Sequence, residues 1–365
     1  MSWKLAIEDL ECLAEGAAFL GTGGGGDPYI GKLIVQAAIE QHGSPTLLDP
    51  TELDDDMNVF SIAGFGAPTV QMEKLIHGDE VMFALAKLEE ITGRKVDAII
   101  PAEIGGGNSM TPIMVAATKG VPVVDGDGMG RAFPELQMNN FSANGLRATP
   151  LVVVDEHLNY EVVEADDDKS AEDKTRALAI KMGLRVFIAG FPMTGKQVKE
   201  TAIAGTLKIA LEIGRTLKAA RSKTDPVEAL ISYLRTTPYY NQAHVLFDGK
   251  IADLVRDTAR GFSIGNCKLA ALGDDQGEAE VIFQNEHLSV RVNGQLRAIV
   301  PDLICIVDRE TGAPITTQAL RYGQRVKVVA MSAPPQLRAE KSRDFFGPKC
   351  FGLEEPFTPV EALTA

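Results

Sequence analysis

"VDAIIPAEIGGGNSMTPIMVAATKGVPVVDGDG", Val96 to Gly128, decides how this chain is read. A short apolar run, Val96 to Pro101, enters a loop of glycine and polar residues from Glu103 through Asn108. A helical stretch is expected over Pro112–Lys119, with Thr111 as N-cap, Pro112 at the first helical position and Gly120 at C′. A second apolar run, Val121–Val124, then opens onto Asp125-Gly126-Asp127-Gly128. Strand, helix, strand with short joins is the pattern of a parallel sheet flanked by helices.

The same grammar extends in both directions. Upstream, "NVFSIAGFG" reads as another buried strand, with helices expected over 5–20, from Asp27-Pro28 to about Gln41, and over 79–91. Downstream, "LRVFIAG" reads as a strand leading into one long amphipathic helix, Gly195 to Arg221, and a second from Asp225 to Leu234. From about Ala243 short β-rich runs are punctuated by Asp-Gly, Asn-Gly and Thr-Gly, which suits a small antiparallel barrel or sandwich. The expected division is an α/β domain over 1–241, with helices 195–235 placed in it, a β-barrel-like domain over 242–345, and a tail over 346–365. The three Phe between Phe345 and Phe351 are expected to pack back on the chain's own core.

Composition excludes several classes of function. At 365 residues the chain hides roughly 75% of its unfolded surface, so it needs no disulfide or metal for stability. The net charge of −14, without a Lys/Arg block, disfavours nucleic acid and anionic membrane as partners. Cys12, Cys267, Cys305 and Cys350 are scattered, as in a reduced, cytoplasmic protein. The acidic N-terminus lacks a signal-peptide pattern, and no apolar run reaches the ~18 residues of a membrane span. The five histidines fall at no zinc spacing, and Cys267 has no local His partner.

Two glycine motifs are lures. "FLGTGGGGDPYIG" holds G-x-G-x-x-G at Gly21, Gly23 and Gly26, but a helix precedes it and the acidic residue expected ~20 positions on is missing, so NAD binding is not expected. "GFPMTGKQ" resembles a phosphate loop, but Gln197 replaces the Mg²⁺-binding hydroxyl, which argues against ATP; Thr194 is expected to cap a helix, with Lys196 in solvent.

In a parallel sheet the loops at the carboxyl ends of the strands gather on one edge, where ligands bind. Those loops are Gly64–Thr69, Glu103–Asn108 and Asp125–Gly128, and the loop starting at Gly21 would join them. Glu103, Asp125 and Asp127 bring carboxylates to that edge, either as an acid–base set or as ligands of a divalent metal. Gly23, Gly24, Gly25, Gly66, Gly105, Gly106 and Gly107, with Asn108, are the candidate substrate-binding groups, because glycine lets backbone N–H groups approach a ligand. Arg131 either clamps a substrate carboxylate or pairs with Glu135 at i,i+4.

"AEIGGGNSMTPIMVAATKGVPVVDGDGMGRAFPELQM", with "GTGGGGDP" and "GFGAP", resembles the family once labelled DUF917 and now named for S-methyl thiohydantoin desulfurase. The resemblance extends over nearly the whole chain and is looser in the second half, around "PDLICIVDRETGAPI". It implies a three-layer α/β/α sandwich plus a β-barrel, and bacterial cytosolic proteins associated with hydantoin utilisation. It also implies replacement of a ring-bound sulfur substituent by oxygen, with release of methanethiol. In that scheme Asp125 or Asp127 takes the proton of the attacking water or holds a metal. Gly105–Gly107 and Asn108 hold the negative charge, and Glu103 protonates the ring nitrogen. The rival reading is a non-catalytic small-molecule-binding or scaffold subunit of a hydantoinase-type system, and self-association is a further expectation.

Overall fold

The computed structural model describes residues 1–26, 28–67, 70, 74, 77–259, 261–273 and 277–364. Asp27, expected to cap a helix, and Pro68 and Thr69, expected at the binding edge, lie outside the described residues.

The first part of the chain supplies β1 (Trp3–Lys4), β2 (Thr46–Leu48), β3 (Asn58–Gly66), β4 (Ala98–Pro101), β5 (Val123–Val124) and β6 (Gly126–Asp127). It continues with β7 (Leu151–Val154), β8 (Tyr160–Val163), β9 (Arg185–Thr194) and β10 (Ile203–Ala204). Eight of these form one sheet in the order β1-β2-β5-β4-β3-β9-β7-β8. Its apolar runs are continuous because both faces are covered. Phe60, Ile62, Ile99, Val123, Val152 and Phe187 face one core, which is shared with helices Leu10–Leu20, Asp79–Thr92 and Gly106–Lys119. Val59, Phe65, Ile100, Val124, Val153 and Ile188 face the other, under helix Asp168–Lys181. This is the expected three-layer α/β/α arrangement.

Three details differ from expectation. The sheet is mixed: β2, β5, β4 and β3 pair in parallel, whereas β9 runs antiparallel to both β3 and β7. "LRVFIAG" looks the same in either direction, because strand polarity leaves no mark on an apolar run. The helix after Glu103 begins at Gly106, so Pro112 lies inside it. The missing N–H costs one bond, and Ser109 and Thr111 hydroxyls donate to the Gly106 and Gly107 carbonyls at 2.7 and 3.2 Å. The expected long helix from Gly195 is broken into Gly195–Thr201 and Thr206–Ala220. Between them Gly205 turns at φ 76°, and β10 pairs with β6, Ile203 opposite Asp127.

The remaining strands are β11 (His244–Ala259), β12 (Phe262–Ala271), β13 (Glu278–Gln284), β14 (Glu286–Val292), β15 (Gln295–Ile299), β16 (Leu303–Asp308) and β17 (Arg325–Met331). They form an antiparallel seven-stranded half-barrel in the order β15-β14-β13-β12-β11-β17-β16. Its lining includes Cys267, Val281, Val290, Ile304 and Val328. Leu288, Leu303, Cys305 and Val329 belong instead to the core that holds Leu13 and Phe19, so the two sheets share buried surface. The tail returns to the core: Phe346 is fully buried and its ring lies 5.2 Å from that of Phe133.

Among the described residues no helix is long and apolar enough to cross a membrane.

Candidate functional site

The glycine loops are explained by backbone contact. A Cβ on Gly25, whose φ is 76°, would stand 2.5 Å from the carbonyl carbon of Gly105. A Cβ on Gly106, at φ 41°, would stand 2.0 Å from the Gly26 carbonyl oxygen. The two turns interlock, and no side chain could intervene. On its other flank the first loop joins the half-barrel: the Thr22 carbonyl accepts from His287 N–H at 2.8 Å, and the Gly23 carbonyl from Thr317 N–H at 2.9 Å.

This seam walls a pocket of about 80 Å³. Glu103, Asn108, Gly25, Gly26, Gly64 and Gly66 line it, together with Phe65, Phe133 and Leu136. Asn108 lies in the first turn of its helix and ties the pocket together. Its Oδ1 accepts from Gly64 N–H at 2.8 Å, and its Nδ2 donates to Glu103 Oε1 at 2.7 Å. Phe133 N–H donates to Glu103 Oε2 at 3.3 Å. Burial nevertheless pushes the Glu103 carboxyl up to about 8, against these donors and with the charge of Asp127 adding to the rise. Such a group exchanges protons near neutral pH.

Of the candidates from sequence, Glu103, Asn108, Gly25 and Gly66 line the pocket. Gly23, Gly24, Gly105 and Gly106 serve instead as packing surfaces for the seam, and Gly107 is likewise outside the pocket lining. Asp125 is turned away: its carboxylate accepts from Trp3 Nε1 at 2.8 Å and from Lys208 N–H at 3.2 Å, in the first turn of helix Thr206–Ala220. Asp127 is fully buried, and its Oδ2 accepts from Met129 and Gly130 N–H at 2.9 and 2.8 Å. Burial pushes it up to about 7. Among the described residues no three His, Cys, Asp or Glu side chains are grouped to hold a metal ion.

Arg131 adopts neither of its two expected roles. It is fully buried, and all five donors are used within the protein. Nε donates to the Ala132 carbonyl, Nη1 to those of Pro301 and Asp302, and Nη2 to Thr22 Oγ1 and the His287 carbonyl. Its guanidinium carbon sits 4.6 Å from the Phe133 ring centroid. Glu135 pairs instead with Lys169, at 3.4 Å. Arg131 therefore holds the half-barrel onto the glycine seam and has no donor left for a substrate.

The pocket residues that escape a reading by sequence include Arg176, Asn285 and Glu286. Arg176 is packed between Phe65 and Phe262, 4.5 and 4.2 Å from their centroids. Nε and Nη2 are held by Glu172 and the Pro134 carbonyl, and Nη1 has no hydrogen-bond partner among the described residues. Glu286 begins β14, is 3% exposed, and has no partner for Oε2 among the described residues. No local motif marks these positions, because they reach the pocket from elements remote in the chain.

Comparison with known proteins covers the whole site. The model of the "S-Me-THD-like, N-terminal domain" matches residues 8–165, and that of the "S-Me-THD-like, C-terminal domain" matches residues 165–360. A crystal structure of a protein from Chromobacterium violaceum superposes with a TM-score of 0.82 at 25% identity, covering 98% of this chain and 100% of that one. No curated protein matches the chain.

Proposed function

Because the chain belongs to the S-Me-THD-like family, we propose that it hydrolyses a small hydantoin-like ring and replaces a ring-bound sulfur substituent by oxygen. The observation that carries this reading is Glu103: a buried carboxyl in a small pocket, held by two N–H donors and kept near 8. The donors favour its ionised form and burial opposes it, so the group is poised to accept a proton from water without being permanently charged. Asn108 fixes its orientation through the same amide that grips Gly64.

Water adds to the ring carbon bearing sulfur as Glu103 takes a proton, and the tetrahedral centre then expels the sulfur group. The aromatic and aliphatic walls of Phe65, Phe133 and Leu136 suit a flat five-membered ring. Nη1 of Arg176, which has no hydrogen-bond partner among the described residues, suits an anionic substituent on that ring.

The test is to mix purified protein with an S-methyl thiohydantoin carrying a short acidic side chain and to follow free thiol. Release by the native chain that is lost in Glu103→Gln supports the reading. Release that is lost on chelation and restored by added metal would move the first step from Glu103 to a metal-bound water. Binding of the ring without any release would favour the non-catalytic subunit.

A further inference from the structure

We propose that Glu286 is the second proton-transferring group of this site, sharing a single proton with Glu103 across the pocket; this rests on the ring-hydrolysis reading. The two carboxyls arrive from opposite sides of the molecule. Glu103 follows β4 of the large sheet and Glu286 opens β14 of the half-barrel, and both line the same pocket of about 80 Å³. The first glycine loop is shaped to admit Glu286: a Cβ on Gly24 would stand 1.8 Å from Glu286 Oε1.

The surroundings divide the labour. Both oxygens of Glu103 receive N–H donors, which suits the ionised form. Glu286 Oε2 is buried and receives none among the described residues, which suits a protonated carboxyl whose O–H points at a ligand. Burial holds Glu286 well above the ordinary carboxyl range, and the charge of Glu103 holds it there further. The charges of Arg131 and Arg176 oppose that rise, and the charge of Asp127 adds to the rise at Glu103. Glu135 lies on the pocket wall. Two like carboxyls in so small a space do not both ionise, and the pair titrates as a unit.

The sequence of transfers balances. Water bonds to the sulfur-bearing carbon of the C=N unit; its proton passes to Glu103, and Glu286 gives its proton to the ring nitrogen. The C–S bond then breaks with its electron pair going to sulfur, which takes the proton from Glu103. The hydroxyl proton returns to Glu286 as C=O forms. Water is consumed, the thiol and ring N–H are products, and both carboxyls end in their starting states.

Infrared difference spectra of the full-length protein between about pH 5 and 9, read at the C=O stretch of protonated carboxyls, test the pair without substrate. Wild type, Glu103→Gln and Glu286→Gln are compared, with thermal melts confirming that each folds. Expected is a carboxyl band that persists above about pH 8, where Glu103 is ionised, and that Glu286→Gln removes; in Glu103→Gln the Glu286 band is expected to be lost about one pH unit or more lower, because the neighbouring charge is gone. With the thiohydantoin, Glu286→Gln is expected to lower kcat by about 100-fold or more, with little change in KM. A folded Glu286→Gln protein with unchanged kcat, or a folded Glu103→Gln protein with an unmoved Glu286 band, overturns the proposal. A wild-type protein that shows the shared proton but releases no thiol overturns the ring reading alone.

Discussion

A carboxyl held above its ordinary range keeps a proton in the folded protein that the unfolded chain has already released. Glu103, at about 8, and Asp127, at about 7, are both in that state. Between the unfolded and folded values the native chain binds more protons, so stability is full at low pH and declines as pH rises through the folded values. His287 acts in the opposite direction: it is buried and pushed down to about 4, so its contribution is lost as pH falls from its ordinary value toward 4. Above about pH 6.5 the His287 contribution has levelled off, and the carboxyls alone set the slope. Urea denaturation is therefore expected to show stability falling from about pH 6.5 to 8, and Glu103→Gln is expected to flatten it by about 1.4 kcal/mol per pH unit. In activity the same group predicts that kcat/KM of the native chain climbs with pH toward a limb near 8.

Arg131 gives the other prediction at this scale. Arg131→Ala strips donors from the carbonyls of Pro301, Asp302 and His287, all in the half-barrel. It is expected to cost about 3–5 kcal/mol in urea denaturation, the range for breaking a buried charged network. Its expected pairing with Glu135 was sequence-local, whereas four of its five acceptors lie more than a hundred residues away. Glu103 and Asn108 were legible for the converse reason: a strand end followed by glycines predicts where a loop sits. Asp125 and Asp127 obeyed that rule for position but not for direction, since the Trp3 indole and Lys208 N–H hold the two oxygens of Asp125, and Met129 and Gly130 N–H hold Oδ2 of Asp127.

Among the elements, the paired glycine turns make a separable claim about strain and contact. Gly43 ends helix Pro28–His42 at φ 88° with nothing near its missing Cβ, whereas Gly25 at φ 76° faces the Gly105 backbone. Gly43→Ala is expected to cost about 1–2 kcal/mol for conformation alone. Gly25→Ala should cost about 2–4 kcal/mol in the same denaturation experiment, the excess measuring the contact. Capping chemistry was the most readable feature at this scale. Thr194 and Gln197 form the capping box at Gly195–Thr201, and Gly120 ends its helix at φ 76°. The break at Gly205 was not readable, because the pairing of Ile203 with Asp127 that forces it is a tertiary event.

For the whole molecule, the family boundary at residue 165 is a seam in the chain and not in space. β9 belongs to the second match, yet it lies between β3 and β7 in the middle of the large sheet. A fragment ending at residue 165 would expose both β3 and β7 edges. Expressed alone it is expected to lack cooperative unfolding by circular dichroism, and a fragment that melts cooperatively would contradict the shared core. The architecture was legible from the change of pattern near Ala243, but the joint between the sheets was not, because its contacts come from turns and strand ends without a common motif.

The first glycine loop touches the Glu103 turn on one side and His287, Thr317 and Glu286 on the other. A chimaera that took its first half from one relative and its second from another would have to match this loop on both flanks at once. Exchange of halves between lineages should therefore be rare, and the glycines and their strand-end neighbours should be inherited as one block.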